Sequence, residues 1–250
     1  MTRAVDVKLT LVIPCFNEAR RLDPSAFSAF LAREPLASLL FVDDGSVDDT
    51  RARLTPLAQE FPARVTVLTL PTNRGKAEAV RAGMIAARAT DASVIGFWDA
   101  DLATPLDAVA DLLEVLQQQA TTDWVIGSRV RLLGRRIDRH ALRHYVGRVF
   151  ATAASLVVSM PVYDTQCGAK LFRATPELDA VLSRPFLSRW VFDVEMILRL
   201  VHKRGSTAAA EAAIHEFPLR RWSDVGDSKV RTADFFLALT HLFRLSRLYR

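Results

Sequence analysis

Hydrophobic positions along the chain fall into two alternating patterns. Short apolar runs rich in β-branched and aromatic residues at 9–14, 39–42, 65–70, 94–98 and 124–126 read as buried strands. Between them, residues 80–89 and 105–119 carry apolar side chains at helical spacing. This rhythm predicts right-handed crossovers and an α/β architecture: a Rossmann-like, mostly parallel sheet with helices on both faces. Beyond residue 127 the alternation fades into a long basic helix around 137–158, a loop and mixed segments. Residues 231–250 close the chain with a basic amphipathic helix, in which Phe235, Phe236, Leu239, Leu242, Phe243, Leu245 and Leu248 accompany Arg244, Arg247 and Arg250. No internal repeat or low-complexity linker interrupts the sequence, so one domain is expected over 1–250.

In open parallel sheets, ligands gather at the carboxyl ends of the strands. Here those ends are polar. The first strand runs into Pro14-Cys15-Phe16-Asn17-Glu18, the second into Asp43-Asp44-Gly45-Ser46-Val47-Asp48-Asp49, the third leads to Asn73-Arg74-Gly75-Lys76, and the fourth ends in Asp99-Ala100-Asp101. Asp43, Ser46 and Asp48 are equally open to capping helices. Asp99 and Asp101 are harder to explain that way. On an extended backbone, carboxylates two residues apart face the same side, where they repel unless a cation lies between them. A hard divalent ion with positions open to phosphate oxygens suits such a pair. No GxGxxG follows the first strand and residues 73–77 lack P-loop spacing, which excludes a dinucleotide dehydrogenase and a P-loop NTPase.

Composition agrees with a globular chain: 250 residues, 50% hydrophobic and 24% charged, which excludes disorder, collagen and coiled coil. The net charge of +5 invites a nucleic-acid reading until it is divided. Residues 1–126 hold 12 Lys/Arg against 17 Asp/Glu, whereas residues 127–250 hold 21 against 11. An acidic half is joined to a basic one, and the acidic strand ends would repel a phosphate backbone; no nucleic-acid motif is present. Cys15 and Cys167 show no CxxC spacing, so a reducing cytoplasm is expected and both read as packing residues rather than nucleophiles. No secretory signal is expected, nor a run of the roughly 20 apolar residues that spanning a membrane needs.

The strand-end motifs, in this order, resemble those of the family 2 glycosyltransferases with the GT-A fold. Residues 13–18 are similar to the family's P-x-[YF]-N-E motif, residues 43–46 to its DDGS, and Asp99-Ala100-Asp101 to its DxD. The likeness continues through Arg129, residues 164–172, residues 189–195, Trp222 and residues 226–229. It extends over roughly residues 8–230 and is most similar to the branch of dolichyl-phosphate glucosyltransferases and polyprenyl-phosphate mannosyltransferases.

That resemblance implies an inverting transfer of a hexose from a nucleotide sugar to a polyprenyl phosphate. Residues 164–170 lean toward the glucosyl relatives, and hence toward UDP-glucose. Asp99 and Asp101 would bind Mg2+ or Mn2+. Asp44 would hold the base of the nucleotide, with Pro14, Asn17 and Glu18 shaping the nucleoside pocket and Lys76 close by, and Asp43, Gln166 and Trp190 would complete the donor site. Arg129, Arg143 and Lys229 would meet the acceptor phosphate or the diphosphate. Asp193 would contact sugar hydroxyls, a salt bridge to a neighbouring Arg being the structural alternative. Residues 1–126 form the donor half and 127–230 the acceptor half. His140 and His144, spaced i, i+4, belong to the basic face rather than to a metal site. The expected location is peripheral, at the cytoplasmic face of an anionic membrane, with the C-terminal helix on the surface, on its own domain or on a membrane-protein partner. The alternative acceptor is soluble, a small hydroxy acid or a growing glycan. That version needs a general base, for which Asp193 is the first candidate.

Overall fold

The computed structural model describes residues 7–138, 141–225 and 232–249, with side chains for all of these except 141–146 and 232–236. In chain order it forms β1 (Leu9–Cys15), α1 (Pro24–Arg33), β2 (Ala37–Asp43), α2 (Thr50–Glu60), β3 (Val65–Thr69), α3 (Lys76–Arg88), β4 (Val94–Trp98), α4 (Ala108–Gln118) and β5 (Trp124–Ser128). There follow β6 (Arg136–Asp138), α5 (Ala141–Val158), β7 (Ala169–Arg173), α6 (Pro176–Leu182), α7 (Phe192–Arg204), α8 (Thr207–Glu211), β8 (Ile214–Pro218), β9 (Arg221–Ser223) and α9 (Thr232–Leu248).

Seven strands make the central sheet in the order β3-β2-β1-β4-β7-β5-β8. β1 lies parallel to β2 and β4, β2 to β3, and β5 to β8. The mostly parallel sheet is therefore present, with one reversal: β7 runs antiparallel between β4 and β5. Both faces are covered, which is why the central strands read as continuous apolar runs rather than as alternating ones. Val12, Leu40 and Val42 pack on one face with Val80 and Met84 of α3. Leu11, Ile13, Leu39 and Phe41 pack on the other with Phe27 and Phe30 of α1 and Leu112 of α4. Asp23 starts α1 by accepting the N–H groups of Ser25 and Ala26, with Pro24 in the first turn.

One expected element is corrected. Residues 136–138 are a strand, not helix: Ile137 is buried opposite Trp222 of β9 while Arg136 and Asp138 face out, a period of two. The helix is α5, from residue 141. Helices α1 and α2 join the two helices that the spacing predicted; α2 buries only Thr50, Leu54 and Leu57 and contains Pro56, so its stripe is thin. α9 spends its apolar stripe on its own domain, burying Ala238, Leu242 and Leu245 in the core cluster that contains Phe150 and Ala154 of α5. Its outer face carries exposed Leu237, Phe243 and Leu248 beside Arg244 and Arg247. Among the described residues no helix is long and apolar enough to cross a membrane.

Candidate active site

The carboxyl ends of β1 and β2 are knitted into one rim. Asn17 adopts a left-handed backbone (φ 51°), which short polar side chains tolerate. Its N–H donates to Ser46 Oγ at 2.9 Å, and its Oδ1 accepts from Val47 N at 2.9 Å. Glu18 N donates to Thr50 Oγ1 at 2.7 Å and Ala19 N to Asp48 Oδ2 at 3.1 Å. Asp43 is fully buried, accepting from Ser46 N at 2.9 Å and meeting Arg51 at 3.3 Å. Asp44 accepts Arg74 N at 2.7 Å and Gly75 N at 2.8 Å, so it ties the loop that starts α3 to the same rim. Burial pushes its carboxyl up, against those two N–H groups. Gly45 (φ 70°) permits this approach, since a Cβ there would lie 2.8 Å from Asn73 N. Pro14 is tolerated in a central strand because pairing of β1 with β4 ends at Val12.

The Asp99–Asp101 pair is built differently from the extended arrangement expected. β4 ends at Trp98; Ala100 and Asp101 lie in a turn, followed by Leu102 at φ 53°. Asp101 Oδ1 accepts from Ala103 N at 3.1 Å, while Asp99 N donates to Gly168 O at 2.9 Å. A Cβ on residue 168 would lie 1.8 Å from Asp99 Oδ2, so Gly168 leaves the space that this carboxylate fills. Burial and the charge of Asp99 raise the pKa of Asp101, against Arg21 and Lys76. Lys76 sits at this pair, with Nζ 2.5 Å from Asp99 Oδ1. Burial works against the ammonium, but Asp99 and Asp193 outweigh it and the pKa is raised.

The second half supplies a buried acid and a buried cation. Asp193, in the first turn of α7, is ion-paired with Lys170 of β7; the partner is a lysine, not an arginine. Gln166 Nε2 reaches the same carboxylate at 3.4 Å. Burial raises the pKa of Asp193 against the pull of Lys170 and Lys76. Arg129 forms a bidentate pair with Asp164 at 2.6 and 2.7 Å, and its guanidinium lies 5.4 Å from the Trp222 ring centroid. Burial opposes its charge, yet Asp164 raises its pKa. Glu216 accepts Tyr163 N and Asp164 N at 2.8 and 2.7 Å, holding the turn that carries Asp164. Trp190 is partly buried, its N–H on Ser188 Oγ at 3.2 Å. Cys15 and Cys167 are buried thiols, and burial pushes that of Cys167 up to about 11. Lys229, Ser228 and His140 lie outside the described residues, as do the side chains of Arg143 and His144.

Arg21 and Lys170 were not singled out by sequence. Glu18 and Arg21 are three residues apart, a readable ion-pair spacing, and the pair is bidentate at 2.8 and 2.6 Å. The pairing of Lys170 with Asp193 joins β7 to α7 and leaves no local signal.

The donor set fits a divalent cation: two hard carboxylates, one set by a backbone N–H and one cradled at a glycine. Among the described residues no group of three or more His, Cys, Asp or Glu forms a complete cage. An ion held by this pair would leave further positions to substrate oxygens, the usual arrangement for Mg2+ at phosphates.

A family model, Glycosyl transferase family 2, matches residues 10–177. Dolichyl-phosphate beta-glucosyltransferase ALG5C of Trichomonas vaginalis is 30% identical over 98% of this chain and 72% of its own length. The dolichyl-phosphate beta-glucosyltransferase of Drosophila melanogaster is 32% identical over 90% of this chain and 69% of its own. Glucosyl-3-phosphoglycerate synthase of Mycobacterium tuberculosis, solved with Mn2+ and UDP-glucose, superposes with a TM-score of 0.70 at 17% identity, covering 97% of this chain and 79% of that one. With its strand-end motifs gathered on one rim, the chain belongs to glycosyl transferase family 2 and has the GT-A fold.

Proposed function

We propose that the chain transfers glucose from UDP-glucose to a polyprenyl phosphate with inversion at the anomeric carbon. The observation that carries this reading is the meeting of Asp99 and Asp101 with Lys76, with Asp193 close behind and Arg129 held on Asp164. The names of the relatives support the sugar and the lipid acceptor.

A phosphate monoester, with its second pKa about 6, is largely a dianion at neutral pH and attacks without a general base. One of its oxygens forms the new bond to the anomeric carbon as the bond to the nucleoside diphosphate breaks. The chain's task is to position charge. Lys76 faces the departing diphosphate, while Asp99 and Asp101 would hold Mg2+ or Mn2+. Such an ion supplies charge to the leaving diphosphate. Pro14, Asn17, Glu18, Asp43 and Asp44 line the donor side, the two aspartates chiefly by fixing its loops. Gln166 and Trp190 complete it. Arg129, with Arg143 and Lys229, takes the acceptor phosphate, a role that suits guanidinium. Asp193, buried on Lys170, contacts sugar hydroxyls and is not required as a base. The exposed Leu237, Phe243 and Leu248 beside Arg244 and Arg247 favour peripheral docking on the cytoplasmic face of an anionic membrane.

Asp101→Asn keeps the size and the Ala103 hydrogen bond but removes a charged ligand. Turnover is expected to fall about 100-fold or more with the melting curve unchanged. Full activity in that variant would remove the metal-binding role of Asp101.

A further inference from the structure

Each carboxylate of the site already meets a cation from the chain: Asp99 meets Lys76, Asp193 meets Lys170, and Asp101 Oδ2 lies 3.5 Å from Arg21 Nη1. Arg21 is not free to swing away. Its Nε and Nη2 donate to the two oxygens of Glu18 at 2.8 and 2.6 Å, which aims the remaining nitrogen at Asp101. The planar guanidinium makes that aim rigid. Arg21 and Glu18 side chains are only 16% and 10% exposed, so salt screens them little. Glu18 is itself anchored through Thr50.

The charges nearly cancel: Glu18, Asp99, Asp101 and Asp193 face Arg21, Lys76 and Lys170. A dication entering alone makes the cluster positive and meets a resident cation at each ligand. The donor's diphosphate brings the negative charge that restores the balance. Resting on the metal-dependent reading above, we infer that Arg21 is a positioning residue that keeps the Asp99–Asp101 pair a poor metal site until the donor's diphosphate is present. Metal and nucleotide then bind as a coupled pair, and by linkage each strengthens the other by the same factor.

The test is Mn2+ binding to the full chain, followed by the spin-resonance signal of free Mn2+, with and without UDP and with no turnover. Arg21→Gln is expected to bind Mn2+ alone about tenfold tighter than the parent, because a charge a few ångströms from the dication is gone. The enhancement by UDP shrinks by about the same factor, while Arg21→Lys, which keeps the charge but loses the fork that aims it, falls between the parent and Arg21→Gln. Were Arg21 only a prop for Asp101, Arg21→Gln would bind Mn2+ more weakly. That result, or unchanged affinity, overturns the inference. Glu18→Gln supplies the opposite perturbation should Arg21→Gln fail to fold: the uncompensated guanidinium weakens Mn2+ binding, and unchanged or tighter binding counts against the inference. If the parent binds no Mn2+ even with UDP, the metal reading itself fails and this inference with it.

Discussion

Asp99 occupies a space that exists because residue 168 has no side chain. Gly168→Ala would put a methyl group 1.8 Å from Asp99 Oδ2 and force that carboxylate away from its place beside Lys76. The displaced group is the end of a short side chain, so the fold survives. Turnover is expected to drop about 100-fold, the cost of a displacement of about 1 Å at a reacting centre. Parental turnover in steady-state assays of Gly168→Ala would show that Asp99 needs no fixed place. At this scale the motifs were legible but their roles were mixed. Asn17, Ser46, Asp48 and Thr50 spend hydrogen bonds on one another, and Asp44 on the 74–75 backbone, so the capping alternative and the site reading both describe part of the same rim. Sequence could not order these roles, because the partners lie about thirty residues apart.

Among the elements, β1, β2, β4 and β5 were readable because buried strands are continuous apolar runs bounded by polar turns, and β3, at the sheet edge, by its β-branched residues. Elsewhere pairing, not pattern, decides. Residues 136–138 become strand only through β9, far along the chain, and β7 is antiparallel because the chain re-enters between β4 and β5. α9 was legible as amphipathic, but not as to which surface its stripe would cover. Leu242→Ala, which empties a buried position, is expected to lower stability by about 3 kcal/mol in denaturant unfolding. Phe243→Ser, on the outer face, leaves stability within about 0.5 kcal/mol and lowers co-sedimentation with anionic vesicles. Unaltered vesicle binding would take the outer face of α9 out of membrane docking.

Across the whole molecule, the acidic and basic halves are not separate bodies. β7 from the basic half lies inside the sheet of the acidic one, and surplus arginines meet acids across the division: Arg173 and Arg204 at Asp123, Arg220 at Asp111, and Arg221 at Asp107. Part of the asymmetry is therefore spent on the fold. At the site, Lys76 of the acidic half faces Asp99, and Arg129 of the basic half stands on Asp164. The central claim is a transferase whose acceptor is a lipid phosphate, and it is tested most directly by where the sugar goes. Incubation of the full chain with UDP-[14C]glucose, Mn2+ and polyprenyl phosphate is expected to move label into the organic phase, in proportion to the lipid phosphate supplied. Label that stays in the aqueous phase, or that transfers only when a soluble phosphorylated hydroxy acid is supplied, would contradict it.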